Sequence, residues 1–393
     1  MTDGREVVIT GVGLLSGLGE GLEATWDRLV SGPPNHDLEA FAPFIVHRLG
    51  PVSFDLQIPK KGDQRQMEPW QRIGVYTAGL ALASAGVKGD ASLLDRTDMI
   101  VAAGGGERDI AVDARILTDI RGQPNPEAFI NERLMNDLRP TLFLAQLPNL
   151  VAGNISIVHG VVGSSRTFIG EESAGVDAVR VAHARIAAGQ SDIALVGGGY
   201  NAERLDILLN YELPGALLKP PFRPVWDRGP KGGLALGSLG AFVVLEARGH
   251  AEARGAAPLA RLAHVASGRT PRGSGDVTAA LAGMWGEIGD AIRPDTAAVL
   301  SGASGAEPAT AEEQSFLSAR GLPVRATGTH LGQGCEAQFT ANLAIATEVL
   351  RRGELFPPAG SGDIGMPGGP IAQVAVTCVG HWRGEGLALV ERA

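Results

Sequence analysis

Short apolar runs of strand length alternate along this chain with longer segments whose apolar residues recur at helical spacing. Residues 6–10, 98–103, 166–170, 192–196, 241–246, 297–300, 372–378 and 386–391 are dominated by small and aliphatic side chains and predict mostly buried strands. Ala24, Trp26, Leu29 and Val30 mark an amphipathic helix, and Val75, Ala78, Leu80 and Leu82 give an apolar face to another over 69–85. Further helices are expected over 173–188, around 251–254, over 277–292 and over 337–352. The glycines that follow residue 196 break that strand, and residues 11–19, GVGLLSGLG, read as a Gly-rich turn. Residues 33–66 carry Pro, His and charge without a period and read as a surface connection. Residues 107–146 have the character of an insertion, irregular around 122–129 and helical afterwards. The strand at 297–300 and its small-residue turn echo the first strand and turn, an echo too short to establish a repeat by itself.

Alternating strands and helices predict an α/β fold, and 393 residues exceed one usual domain of about 100–200. Two fused halves, 1–250 and 251–393, fit that length. The net charge of −9 and a pI near 5.5 argue against nonspecific nucleic-acid binding, which relies on a basic footprint. Two cysteines, Cys335 and Cys378, are too few for a disulfide framework or a cysteine-based metal site and are expected to be small buried hydrophobes. The start, MTDGREVVITGVG, lacks a basic segment followed by a long apolar one, and no apolar run approaches 18 residues. A cytoplasmic protein with no membrane span is the expectation.

The most informative stretch is GSSRTFIGEESAG, residues 163–175. A strand arrives, the chain turns at Gly170, and Glu171 and Glu172 fall at the start of the helix behind it. Unpaired backbone N–H groups and the positive end of the helix dipole favour an anion there by about 0.3–1 kcal/mol. Strand, sharp turn and helix form the elbow that presents a nucleophile above an α/β sheet. Here it presents a carboxylate, either a working acid or a side chain that only caps the helix and fills space. The Gly-rich residues 11–19 have neither the GxGxxG spacing nor a Walker lysine, so phosphate binding is not expected of them. His159 and His183 lie on elements that pack and read as satisfied histidines.

Several stretches resemble, in order, the β-ketoacyl-ACP synthases, condensing enzymes of the thiolase fold. They are REVVITGVGLLSGLG, LPNLVAGNISI, GQSDIALVGGG and RPVWDRGPKGGLALGSLGAFVVLEARGHAEARGA, the last resembling RPFD…G…GEGAGVLVLE…HAxARGA. The resemblance implies a thiolase-like, five-layered αβαβα architecture of two pseudo-duplicated halves and a dimer. It also implies an acyl carrier protein as substrate or partner, the phosphopantetheine arm of that carrier being the only cofactor-like group. In active members an elbow cysteine takes the acyl chain and two histidines promote decarboxylation and stabilise the oxyanion.

Carried over by position, the cysteine is Glu172, with Glu171 before it, and the two histidines are Ala303 and Gln333. Gly328 stands at the lysine of the second histidine motif, Ser238 at the glutamate of GEGAG, and His381 at the end of the gate loop. His330, three residues before Gln333, is the candidate if that register slips. Gly170, Glu171, His381, Arg223 and Arg228 form the candidate substrate-binding set. Lys219 and Lys231 share with the two arginines a Pro- and Gly-rich loop suited to an acidic carrier, or are merely solvated. The segment around Gln333 is similar to chain-length factors, which pair with a catalytic ketosynthase. Three readings follow: a silent subunit of a heterodimer, an active decarboxylase using Glu172 or synthase with a rearranged site, and a homodimeric acyl-binding protein. With 5% aromatic residues, small and aliphatic side chains are expected to shape any acyl tunnel.

Overall fold

A computed structural model describes residues 4–138 and 141–393. Its large mixed sheet runs, edge to edge, Val324–Ala326, Ala297–Ser301, Gln373–Val379, Glu385–Glu391, Ala260–Gly268, Val7–Ser16, Leu239–Ala247, Ile193–Tyr200, Asp98–Ala103 and Ser165–Ile169. From the middle outwards, Val7–Ser16, Leu239–Ala247 and Ile193–Tyr200 pair antiparallel in turn, and Asp98–Ala103 and Ser165–Ile169 then add parallel. The other side repeats the pattern. Ala260–Gly268, Glu385–Glu391 and Gln373–Val379 are antiparallel, and Ala297–Ser301 and Val324–Ala326 follow parallel. The halves join where Val8 and Ile9 face Arg261 and Ala260. The duplication that the sequence only hints at is explicit in the backbone.

Side-chain alternation sorts these strands into layers, because successive residues face opposite sides of a sheet. In Leu239–Ala247, Leu239, Ala241, Val243 and Leu245 point to a central core, and Phe242 and Val244 to an outer one. In the matching strand of the other half, Glu385–Glu391, Ala388 and Val390 face the same central core and Leu387 and Leu389 the opposite outer one. Helices Glu171–Ala187 and Gln338–Arg352 fill the middle layer between the halves. Pro69–Ser84 and Leu150–His159 cover one outer face, and Asp276–Ile288 and Ala309–Ser318 the other. The result is the five-layered αβαβα arrangement.

Two segments expected to turn are strand instead. Val7–Ser16 continues through the Gly-rich residues, and Ile193–Tyr200 through its three glycines. These glycines allow close approach: a Cβ on Gly13 would sit 2.0 Å from the Thr77 carbonyl oxygen of the covering helix. The 107–146 region is helical on both sides of its break, as Ile110–Asp119, Pro126–Asn136 and Thr141–Ala145. Its first two helices are started by Asp109 and Asn125, whose side chains accept from the Val112 and Ala128 N–H groups. The 33–66 connection contains a helix, Lys61–Gln66, and a short strand, Val46–His47. Among the described residues, no helix is long and apolar enough to cross a membrane. Nor, among them, does any group of His, Cys, Asp and Glu assemble a metal site.

Candidate functional site

The elbow is built on Gly170, whose φ of 124° is a conformation that L side chains rarely adopt. The helix behind it begins at Glu171, so both glutamates lie in its first turn. One turn further, Gly175 lets the helix press on the loop that carries Gln333. A Cβ there would meet the Glu336 carbonyl oxygen at 2.5 Å.

Glu172 is 1% exposed. Its Oε1 accepts a 2.7 Å hydrogen bond from Gln333 Nε2, and His381 Nδ1 lies 3.1 and 3.2 Å from its two oxygens. Glu172, Gln333 and His381, the residues that the resemblance sets at the nucleophile, the second histidine and the end of the gate loop, therefore meet in one buried network. Burial on its own would raise the Glu172 carboxyl, but the charge and hydrogen bond of His381, with Gln333, outweigh it and hold the group below the ordinary 4.5. Burial pushes the His381 imidazole down, and Glu172 more than reverses this, leaving it above the ordinary 6.5. The two form an ion pair. The His381 ring also packs against Tyr211 and Trp382, with centroids 5.0 and 4.6 Å away.

Ala303 stands outside this network. It is fully buried in the turn after Ala297–Ser301 and packs in the outer core of the C-terminal half. Its N–H donates to Ser301 Oγ at 3.0 Å, and Ser301 Oγ donates to Glu313 Oε1 at 2.8 Å. Burial pushes Glu313 up to about 7, from an ordinary 4.5. A carboxyl raised in the folded state contributes stability that is complete below pH 4.5 and lost as pH rises to about 7. The Glu313→Gln variant does not titrate, so it should gain on the wild type by about 2–3 kcal/mol over that window, at 1.36 kcal/mol per pKa unit. Urea unfolding at the two ends of the window checks this, and a stability difference that ignores pH would contradict it.

Gln333, not His330, faces Glu172. Both ring nitrogens of His330 are buried without partners among the described residues, its ring lies edge-on to Phe356 at 6.3 Å, and burial lowers it to about 4. The two candidate arginines part company. Arg223 is exposed, whereas Arg228 is 3% exposed and donates to the Gly233 and Ser304 carbonyls at 2.7 and 3.1 Å. Arg228 thereby ties its loop to the turn after Ala303 instead of facing an incoming carrier. Lys219 is ion-paired with Glu212 at 2.6 Å. His159 and His183 bond the Val75 and Leu262 carbonyls, and both cysteines are buried and free.

Gly170 and Glu171 border a cavity of about 260 Å³ whose wall includes Trp70, Asn201, Tyr211, Trp382 and Glu336. Its lining mixes these aromatic and polar side chains with Ile169, Ile207 and four glycines, Gly104, Gly105, Gly170 and Gly199. Glu336 is the functional candidate that sequence reasoning missed. The available signal was an acid three residues after Gln333, inside the otherwise uncharged run GQGCEAQ.

Two matched halves in αβαβα layers, with a strand–glycine–helix elbow reaching the central layer, define a thiolase-type scaffold. Residues 4–212 match the β-ketoacyl synthase N-terminal domain, and the chain belongs to the β-ketoacyl synthase family. The 3-oxoacyl-[acyl-carrier-protein] synthase 2 of Rhizobium meliloti (strain 1021) is 27% identical over 279 residues, 64% of this chain and 61% of that protein. The matched region thus spans about three fifths of that curated relative's length. A β-ketoacyl synthase from Burkholderia phymatum STM815 superposes with a TM-score of 0.80 at 19% identity, covering 99% of this chain and 100% of that one. The ishigamide ketosynthase/chain length factor gives 0.80 at 17% identity, with the same coverage. At these identities the two likenesses speak for the fold.

Proposed function

We propose that this protein is a ketosynthase-family subunit of fatty-acid or polyketide-type acyl chain elongation. In this reading it performs no condensation itself and pairs with a condensing ketosynthase that draws on an acyl carrier protein. The observation that carries the proposal is the saturation of Glu172. A carboxylate does not replace a thiolate as acceptor of a thioester-bound chain, and this one is already engaged by Gln333 and His381. Decarboxylation of a malonyl group needs donors aimed at the developing enolate oxygen. Ala303 supplies none from its side chain, and the Gln333 amide already donates to Glu172.

The surface supports a partner. Ser165–Ile169 is the last strand of the sheet, with one edge unpaired among the described residues, and Ile157, Val162 and Ile169 near it are 71%, 58% and 70% exposed. An unpaired edge flanked by large apolar side chains is a template for another chain. A second subunit of the same fold presents the same edge about a two-fold axis.

Mass spectrometry of malonyl- and acyl-carrier protein tests the proposal, with the purified protein alone and then with a condensing ketosynthase. No change in either carrier is expected from the protein alone, and extension is expected only when both subunits are present. Two-carbon extension by the protein alone would overturn the reading. Conversion of the malonyl to the acetyl form, lost in Glu172→Ala, would make the protein a decarboxylase.

A further inference from the structure

The cavity beside the elbow holds chemistry that the Glu172 network does not use. Trp70, Tyr200, Tyr211 and Trp382 contribute aromatic surface to its wall. Glu336 faces it as a buried carboxylate, 4% exposed, with Oε2 lacking any partner among the described residues. Gly104 makes room for that carboxylate: a Cβ there would lie 2.5 Å from Glu336 Oε1. The cation in the wall, Arg204, is paired with Asp206 and donates to the Gly106 carbonyl at 2.7 Å. Its ion pair and hydrogen bond are thus made elsewhere, and its charge offsets only part of the burial of Glu336. Glu171 adds a second carboxylate to the wall, and Glu107, bonded to Asn201, lies behind it.

A buried carboxylate without a counter-ion is costly, and its site favours protonation or an incoming cation. Burial, together with the charges of Glu172 and Glu171, pushes Glu336 up to about 7. Aromatic faces attract cations through their ring quadrupoles, and ammonium groups are recognised by cages of such rings. An alkyl chain in this cavity would leave Glu336 unpaired.

We propose that the cavity is a binding site for a small organic ammonium ion, held by the Glu336 carboxylate and by the faces of Trp70, Tyr211 and Trp382. The site stands apart from the silent-subunit reading, because it concerns binding by this chain alone and holds whether or not a partner is present.

Ligand-observed NMR titrations with n-butylammonium, 1-butanol and butyrate test it, since the three probes share a four-carbon chain and differ in head group. n-Butylammonium should bind at least tenfold more tightly than either of the others. Glu336→Gln should remove that preference while leaving 1-butanol binding unchanged, and Trp382→Ala should weaken ammonium binding severalfold. Circular dichroism melts of both variants separate lost binding from lost folding, and Trp382, half-exposed, is the safer of the two. Equal affinity for amine and alcohol, no ammonium binding to the wild type, or an ammonium preference that survives Glu336→Gln would each overturn the assignment.

Discussion

Replacing His381 with Leu should lower the unfolding free energy by about 3–5 kcal/mol at pH 5.5, the cost of stripping one partner from a buried ion pair. The magnitude follows from what is left behind. Glu172 and the His381 side chain are each 1% exposed, and Gln333 offers a single neutral donor in compensation. The pH dependence has two limbs. Glu172, held below 4.5, contributes stability that is present above that pH and lost as pH falls through its folded value. His381, held above 6.5, contributes stability that is complete below that pH and lost as pH rises through its own folded value. The deficit of His381→Leu should therefore be largest between pH 4.5 and 6.5. Replacing both partners, as Glu172→Met with His381→Leu, removes the uncompensated charge and should recover most of the loss. Urea unfolding of the wild type, Glu172→Met, His381→Leu and the double variant gives the coupling directly. A deficit below about 1 kcal/mol at pH 5.5 would mean that water reaches Glu172.

The layering of this protein was legible because strands and helices alternate with clear apolar runs, and strand-face alternation makes such runs bury on two sides. Gly170 as the elbow and Glu172 in the helix turn behind it were legible from the sequence. The partnership of His381 with Glu172 was not, because the two are 209 residues apart and no local period links them. Arg228 illustrates the opposite failure. A basic residue in a Pro- and Gly-rich loop reads as solvent-facing, yet here its guanidinium satisfies carbonyls of two turns that only the tertiary fold brings together. Glu336 escaped notice because a buried acid without a counter-ion contradicts ordinary burial preferences, and only the Gly104 contact shows where it fits. The glycines misread as turns share one cause. Propensity treats Gly as a chain breaker, whereas in Val7–Ser16 and Ile193–Tyr200 it serves packing across layers.

That distinction carries the last prediction. Gly13→Ala should destabilise the protein by about 3 kcal/mol or more, the upper end of overpacking penalties. The added Cβ would lie 2.0 Å from the Thr77 carbonyl oxygen and 2.7 Å from the Ala81 nitrogen. Both are backbone atoms of Pro69–Ser84, so no rotamer change relieves the contact and the helix itself must shift. That helix buries Val75, Tyr76, Ala78, Ala81 and Leu82 against the sheet, so its displacement opens the outer core instead of one contact. Gly50→Ala is the matched control. Nothing lies within 4 Å of its added Cβ, and stability should stay within about 0.5 kcal/mol. Equal unfolding midpoints for the two variants would mean that these glycines are turn formers after all. Because Trp70 begins the same helix and lines the cavity, Gly13→Ala should weaken n-butylammonium binding along with stability, whereas Glu336→Gln should weaken binding alone.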